Sequence, residues 1–224
     1  MEKYQGINIL YEDNHLLVVV KPCNMPVCLD ESKDKDLLSI LKNYLKEKYQ
    51  KPGNVYLGLV HRLDRPVMGI MVFAKTSKAA SRLSKEMNDK EFKKTYYAVV
   101  EGMPIEKDTL TDYMLKDEKN KISVVNNDKQ GKLAILNYEL IKTVDNLSLV
   151  KINLVTGRHH QIRVQFASRG YPLYGDHKYN KKFINDNKTD IALIAKELEF
   201  IHPTTKEELK FEIELPKKYP YSLF

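Results

Sequence analysis

Short apolar runs rich in β-forming residues recur along this chain, and no regular alternation of strand and helix organises them. That pattern predicts an α+β fold around a mainly antiparallel or mixed central sheet, flanked by helices and loops. INILY at 7–11 and HLLVVV at 15–20 read as strands around an Asp-Asn turn, after which Pro22 and Pro26 force a loop. Between Asp36 and Tyr49, the apolar residues Leu37, Ile40, Leu41, Tyr44 and Leu45 fall at helical spacing with lysines on the other face. Residues 57–60 and 69–74 read as strands, and Ser77 is placed to cap a helix that runs to about Asn88. Further strands are expected at 95–101, 132–143, 147–155 and 209–215. Ile162 and Phe166 lie one turn apart on a short helix that Gly170 can end. Polar residues dominate 103–131, where no element is predicted. No repeat or Gly/Ser linker divides the chain, so a single domain over residues 1–224 is expected.

Lysine and arginine number 37 against 30 acids, a net charge of +7 that favours a polyanionic partner such as nucleic acid. A lysine-rich proteome would produce the same excess. No apolar run is long enough to span a bilayer, and the N-terminal segment has no apolar signal core, so a cytoplasmic protein without a membrane partner is expected. The two cysteines, Cys23 and Cys28, lack the further ligands that a zinc site needs and read as reduced thiols; no metal site is predicted.

Chemistry concentrates in a few stretches. In HRLDR at 61–65, Asp64 stands between Arg62 and Arg65, and nearby positive charge favours the carboxylate form. KKTYYAVVEG at 93–102 places Tyr96 and Tyr97 among basic residues, Lys90 included, and on a strand only one of the two tyrosines can face a site. Ordinary aromatic packing is the plain reading of that strand; base stacking beside phosphate-binding lysines is the functional one. TGRHHQIRVQFASRG at 156–170 gathers Arg158, His159, His160, Gln161, Arg163 and Arg169 before and along a helix, a donor density suited to anions. Helical geometry would put Arg163 one turn after His159, and adjacent His159 and His160 would diverge, which argues against a metal pair. YPLYGDHKY at 171–179 reads as a tight structural loop.

In this order and at this spacing, HRLD, KTYYAVVEG, GRHHQIR and PLYGDHKY resemble the motifs of the RluA-type RNA pseudouridine synthases. ILYEDNHLLVVVKPCNMPV and ALIAKELEFIHP resemble that family's opening and closing segments, so the likeness spans residues 7–215. The resemblance implies the pseudouridine synthase fold and an isomerase that converts uridine to pseudouridine in rRNA or tRNA, with no cofactor, no obligatory protein partner and a monomeric state. It assigns Asp64 as the catalytic carboxylate, Arg163 as its partner and Tyr96 as the residue that stacks on the uracil. Arg62 matches the arginine that enters the RNA stack when the base is flipped, and His61, Arg65, Lys94, Arg158, His160 and Gln161 are expected along the RNA.

Departures from the family pattern are local. Val67 and Met68 replace a Thr-Ser pair after HRLD, His159 stands where threonine is usual, and Ile194 replaces a histidine. Many relatives begin with an S4-type RNA-binding module; because the likeness starts within the first ten residues, none is expected here. Two rivals follow from the residues: a catalytically silent RNA-binding protein on the same scaffold, and a glycoside hydrolase. The second lacks a partner acid in the matched motifs.

Overall fold

A computed structural model describes residues 2–89, 91–128, 130–186 and 188–224. Lys90 lies outside the described residues. In chain order the elements are β1 (Glu2–Tyr4), β2 (Ile7–Glu12), β3 (Leu16–Lys21), α1 (Leu37–Lys48), β4 (Gly58–Leu59), β5 (Met68–Ala74), α2 (Ser77–Asn88), β6 (Lys93–Glu101), β7 (Lys107–Asp117), β8 (Ile122–Asn126), β9 (Lys132–Val144), β10 (Leu147–Leu154), α3 (Gln161–Ala167), β11 (Leu193–Ile201) and β12 (Glu208–Glu212). They form two compact units, Met1–Lys93 with Ala195–Ile213 and Lys94–Ile194 with Glu214–Phe224.

In the first unit the strands lie in the order β1-β2-β3-β5-β11, with β12 added to β11 and β4 to β5. Strand β3 is buried along its whole length, as expected for an uninterrupted apolar run inside a sheet. Helix α1 starts where expected, with the Asp36 side chain accepting from the Ser39 N–H. The cap of α2 is Thr76 and not Ser77: the Thr76 hydroxyl accepts from the Ala79 N–H at 3.1 Å, and Ser77 becomes the first helical residue. The core of this unit joins Leu16, Val18, Ile70, Val72, Ala79, Leu83, Phe92 and Phe200. The two ends of the family-like segment meet here, where buried His202 contacts Asp13 through Nε2 at 2.8 Å. The other ring nitrogen of His202 accepts from the N–H groups of Thr204 and Thr205, while Asp13 also accepts from those of His15 and Leu16. These bonds satisfy a buried histidine and fix the β2–β3 turn.

The second unit is an antiparallel sheet in the order β6-β10-β9-β7-β8. Strands β7 and β8 occupy the polar stretch in which no element was predicted. The buried apolar residues of β7, Leu110 and Met114, are four apart, a spacing that hides strand alternation. Helix α3 packs Val164 against Met114 and Ala134, and the Phe166 ring against Tyr138 at 5.1 Å. Among the described residues no helix is long and apolar enough to cross a membrane.

Candidate active site

Along His61–Asp64 the side chains alternate in burial: His61 and Leu63 are buried, Arg62 is exposed and Asp64 is half-buried. Inward anchoring of alternate residues is what presents Arg62 and Asp64 outward. His61 Nε2 accepts from the Val72 N–H of β5 at 3.1 Å, and its ring stands edge-on to Phe92 at 5.4 Å. Behind Asp64 the chain turns, and its carbonyl accepts from the Val67 N–H at 3.0 Å. Val67 is only 2% exposed, so the side chain that follows the turn is directed into the interior.

Two residues later the chain enters β5 through Gly69, at φ 144°. A Cβ at this position would stand 2.4 Å from the Ala195 carbonyl oxygen, so only glycine permits this close approach of backbones.

Lys21 is the anchor that the sequence reading did not identify. It ends β3, is fully buried, and donates through Nζ to the carbonyls of Pro22 (2.9 Å), Met25 (2.8 Å) and Arg65 (2.9 Å). Three ammonium hydrogens thus meet three carbonyls, and one of those carbonyls belongs to the residue after Asp64. Burial pushes the Lys21 pKa down to about 8, while the charges of Cys23 and Asp64 pull it upward. Asp64 is therefore within electrostatic reach of a buried ammonium on its own unit. The available signal was a lysine directly following five apolar strand residues, LLVVV.

Arg65, expected at the RNA, has its guanidinium on the loop before α1. It contacts Ser32 Oγ at 2.9 Å and pairs with Asp30 and Asp34. The acid-between-cations pattern of the sequence thus resolves into different environments: Arg62 is exposed, and Arg65 is answered by two acids.

On the second unit, Tyr96 and Tyr97 lie opposite Ile152 and Lys151 in the β6–β10 register. Tyr96 is 6% exposed, while Tyr97 is half-buried with Lys151 Nζ 5.8 Å from its ring centre. Lys94 extends toward the turn before α3, since a Cβ on Gly157 would be 3.8 Å from its Nζ, and burial lowers its pKa.

That turn is built by Gln161, which is 3% exposed. Its carbonyl oxygen accepts from the Thr156 hydroxyl at 2.8 Å and the Arg158 N–H at 2.9 Å, and its amide donates to Gln165 at 3.0 Å. Arg158 remains exposed and donates through Nε to the Leu133 carbonyl at 2.8 Å.

The histidine pair departs from its expected geometry. Helix α3 begins at Gln161, so His159 precedes it and is not a helical turn before Arg163. His160 adopts φ 55°, and this left-handed step stacks the two imidazoles at 3.7 Å where helical geometry would have spread them. His159 Nδ1 meets Ser123 Oγ at 2.8 Å, and His160 Nδ1 meets the Tyr179 hydroxyl at 2.7 Å. Burial, with Arg163 beside it, pushes the His160 pKa down to about 2, so the ring is neutral. Tyr179 Oη also accepts from the Ser123 N–H at 2.8 Å.

Arg163 is 3% exposed on α3 and makes a two-pronged bond to Asp176, with Nε to Oδ2 at 2.8 Å and Nη2 to Oδ1 at 2.7 Å. Asp176 is fully buried and also accepts from the N–H groups of Lys178 and Tyr179. The Tyr179 ring covers the guanidinium at 5.2 Å. Gly175 makes this loop possible: its φ is 72°, and a Cβ there would be 2.2 Å from the Asp190 carbonyl oxygen. Asp176 is thus a partner of Arg163 that the sequence reading left inside a structural loop.

Comparison with known proteins agrees with these motifs. A family profile described as RNA pseudouridylate synthase matches residues 15–168. The "Ribosomal large subunit pseudouridine synthase D" of Zymomonas mobilis is 34% identical over 94% of this chain and 70% of its own length. The "tRNA pseudouridine synthase C" of Vibrio parahaemolyticus is 31% identical over 91% of this chain and 88% of its own. Among solved structures, human RNA Pseudouridylate Synthase Domain Containing 4 superposes with a TM-score of 0.79 at 22% identity, covering 96% of this chain and 91% of that one. That similarity shows the α+β pseudouridine synthase fold, and the sequence matches show more: the chain belongs to the RNA pseudouridylate synthase family, among its RluA-type isomerases.

Proposed function

We propose that residues 1–224 act as one catalytic domain that isomerises uridines of structured RNA, rRNA or tRNA, with Asp64 as the reacting carboxylate. The observation that supports this most directly is the mounting of Asp64. It stands half-buried on a turn closed by its own carbonyl, between inward-facing side chains and beside a carbonyl held by Lys21. A group so fixed is suited to attack, or to stabilise charge at, one defined atom. In the reaction the N-glycosidic bond of uridine breaks, the detached uracil turns, C5 bonds to C1′ of the same sugar, and the C5 proton is lost to solvent as N1 gains one. Atoms and electrons balance within the substrate, so the reading needs no cofactor.

In this reading Arg163 orients Asp64 as a charge partner, Tyr96 stacks on the uracil, and exposed Arg62 fills the space that the flipped nucleotide leaves. Lys94, whose Nζ lies near Gly157, and exposed Arg158 contact phosphate. His61, His160 and Gln161 serve the RNA indirectly, as buried mounts of the motifs that carry them, and Arg65 positions the loop after Asp64 through its own acidic partners. The enzyme works as a monomer in the cytoplasm. The test uses RNA tritiated at uridine C5: wild type releases tritium in step with pseudouridine formation, and Asp64→Asn releases none while still binding RNA. Release undiminished in Asp64→Asn, or liberation of free uracil, would overturn the proposal.

A further inference from the structure

We propose that the outer face of α2, together with Tyr56, is a second RNA-contact surface, which takes a single-stranded stretch of the substrate other than the target nucleotide. This rests on the reading that the chain acts on RNA, and every residue it uses lies in the first unit. Lys78, Ser81, Arg82 and Lys85 stand at i, i+3, i+4 and i+7 and so share one face of α2. Ala79, Leu83 and Glu86 are buried on the inner side, while Lys78, Ser81 and Lys85 are exposed and Arg82 is half-buried. Arg82 is anchored there, donating through Nη1 to the Pro203 carbonyl at 2.6 Å.

Solvation alone does not account for this stripe. Like charges three and four positions apart weaken a helix, and Lys78 with Arg82 and Arg82 with Lys85 are such pairs. The one acid of the helix, Glu86, is buried, and among the described residues neither Lys78 nor Lys85 has an acid within ion-pair distance. By contrast, Lys48 and Lys75 of the same unit are answered by Glu12, and Lys210 by Glu199. Tyr56, 50% exposed ahead of β4, completes the surface. A Cβ on Gly58 would stand 2.8 Å from Tyr56 Oη and 3.1 Å from Ala80 Cβ, so the tyrosine meets α2 across a glycine. Round the helix from Ala80 to the lysines come the exposed serines Ser77, Ser81 and Ser84, which keep the path between ring and cations low. Unanswered cations fit phosphates, and an exposed ring beside them fits a stacked base; that combination is the chemistry of single-strand binding. A duplex would use the cations and leave the ring without a role.

The experiment titrates the whole chain with an oligouridylate of about 20 nucleotides, longer than an ordinary single-strand site, and with heparin, a polyanion without bases. The chain has no tryptophan, so Tyr56→Trp puts a lone indole on the surface. Its emission should be quenched by oligouridylate and not by heparin. Tyr56→Ala should weaken oligouridylate binding on the order of tenfold, with Tyr56→Phe close to wild type and heparin binding the same in all three. Lys78→Gln/Lys85→Gln should lower the slope of log affinity against log salt by about 1.4, two contacts at about 0.7 each. Lys42→Gln/Lys46→Gln on α1 removes the same charge and should leave the slope near that of wild type. Unquenched emission, unchanged binding in Tyr56→Ala, or an α1 pair that weakens binding as much as the α2 pair overturns the proposal. Should Tyr56→Ala fail to fold, the indole emission and the two lysine pairs decide. Wild type that releases tritium from ribosomal RNA without binding oligouridylate overturns the second surface alone. Wild type that neither releases tritium nor binds either RNA refutes the RNA reading beneath it as well, so the two failures are distinguishable.

Discussion

Replacing Lys21 with methionine keeps the length and much of the apolar stem of the side chain while removing the ammonium. The carbonyls of Pro22, Met25 and Arg65 each lose their donor in a site closed to solvent. A buried acceptor left unpaired costs about 1–3 kcal/mol, so the gross loss is at least about 3 kcal/mol. Relief from burying an ammonium offsets part of it, because taking a charge out of water carries its own penalty. We expect a loss near 3 kcal/mol, a fall in thermal midpoint of roughly 6–12 °C for a chain of this size. The chain has no tryptophan and 14 tyrosines, so unfolding is followed by far-UV circular dichroism and tyrosine fluorescence. Tritium release should fall even under conditions where the variant is fully folded, because the Arg65 carbonyl that Lys21 holds belongs to the residue beside Asp64. A Lys21→Met protein within about 0.5 kcal/mol of wild type, with unchanged kcat, would refute the argument that this ammonium holds the turn.

The same structure makes other commitments. Glu12 is 7% exposed at its side chain and receives Lys75, Tyr44, Lys48 and Tyr49. Burial raises its pKa, but these donors outweigh burial and bring it from 4.5 to about 2. The charged form is therefore favoured in the folded state, and the stability it contributes is present in full above pH 4.5 and lost as pH falls toward 2. Glu12→Gln should therefore be less stable than wild type at pH 7 in urea titrations, with the gap closing across that acid window. Gly69→Ala should cost more than about 1 kcal/mol and slow catalysis, since its Cβ collides with Ala195 backbone at the start of β5; an unaltered melting curve would contradict this. Arg158→Ala should lower the slope of log affinity against log salt by about 1 without changing the fold, as read by RNA binding at several salt concentrations.

What the sequence made legible was whatever depends on neighbours along the chain. LLVVV announced a buried strand, the spacing of Leu37, Ile40, Leu41 and Tyr44 announced α1, and the order of the motifs marked the family. Charge patterning was a poorer guide, because a charged residue's role depends on what folds against it. Arg62 and Arg65 flank Asp64 symmetrically in sequence, yet one is exposed and the other is bound to Asp30 and Asp34 more than thirty residues upstream. Lys21 looked like the polar end of a strand and is instead fully buried, a state open to lysine only when acceptors such as these three carbonyls converge on it. The histidines show the limit most sharply. Side-chain directions for His159 and His160 follow from backbone angles, and one left-handed residue converts a diverging pair into a stack. That same residue leads the chain into α3, where Arg163 meets an aspartate thirteen positions on. No local rule ties Asp176 to Arg163; what joins them is the fold of a loop that Gly175 alone allows to pass so close to Asp190. A motif scan therefore finds the arginine and the glycine-aspartate pair as separate features, and only the fold joins them in one buried ion pair.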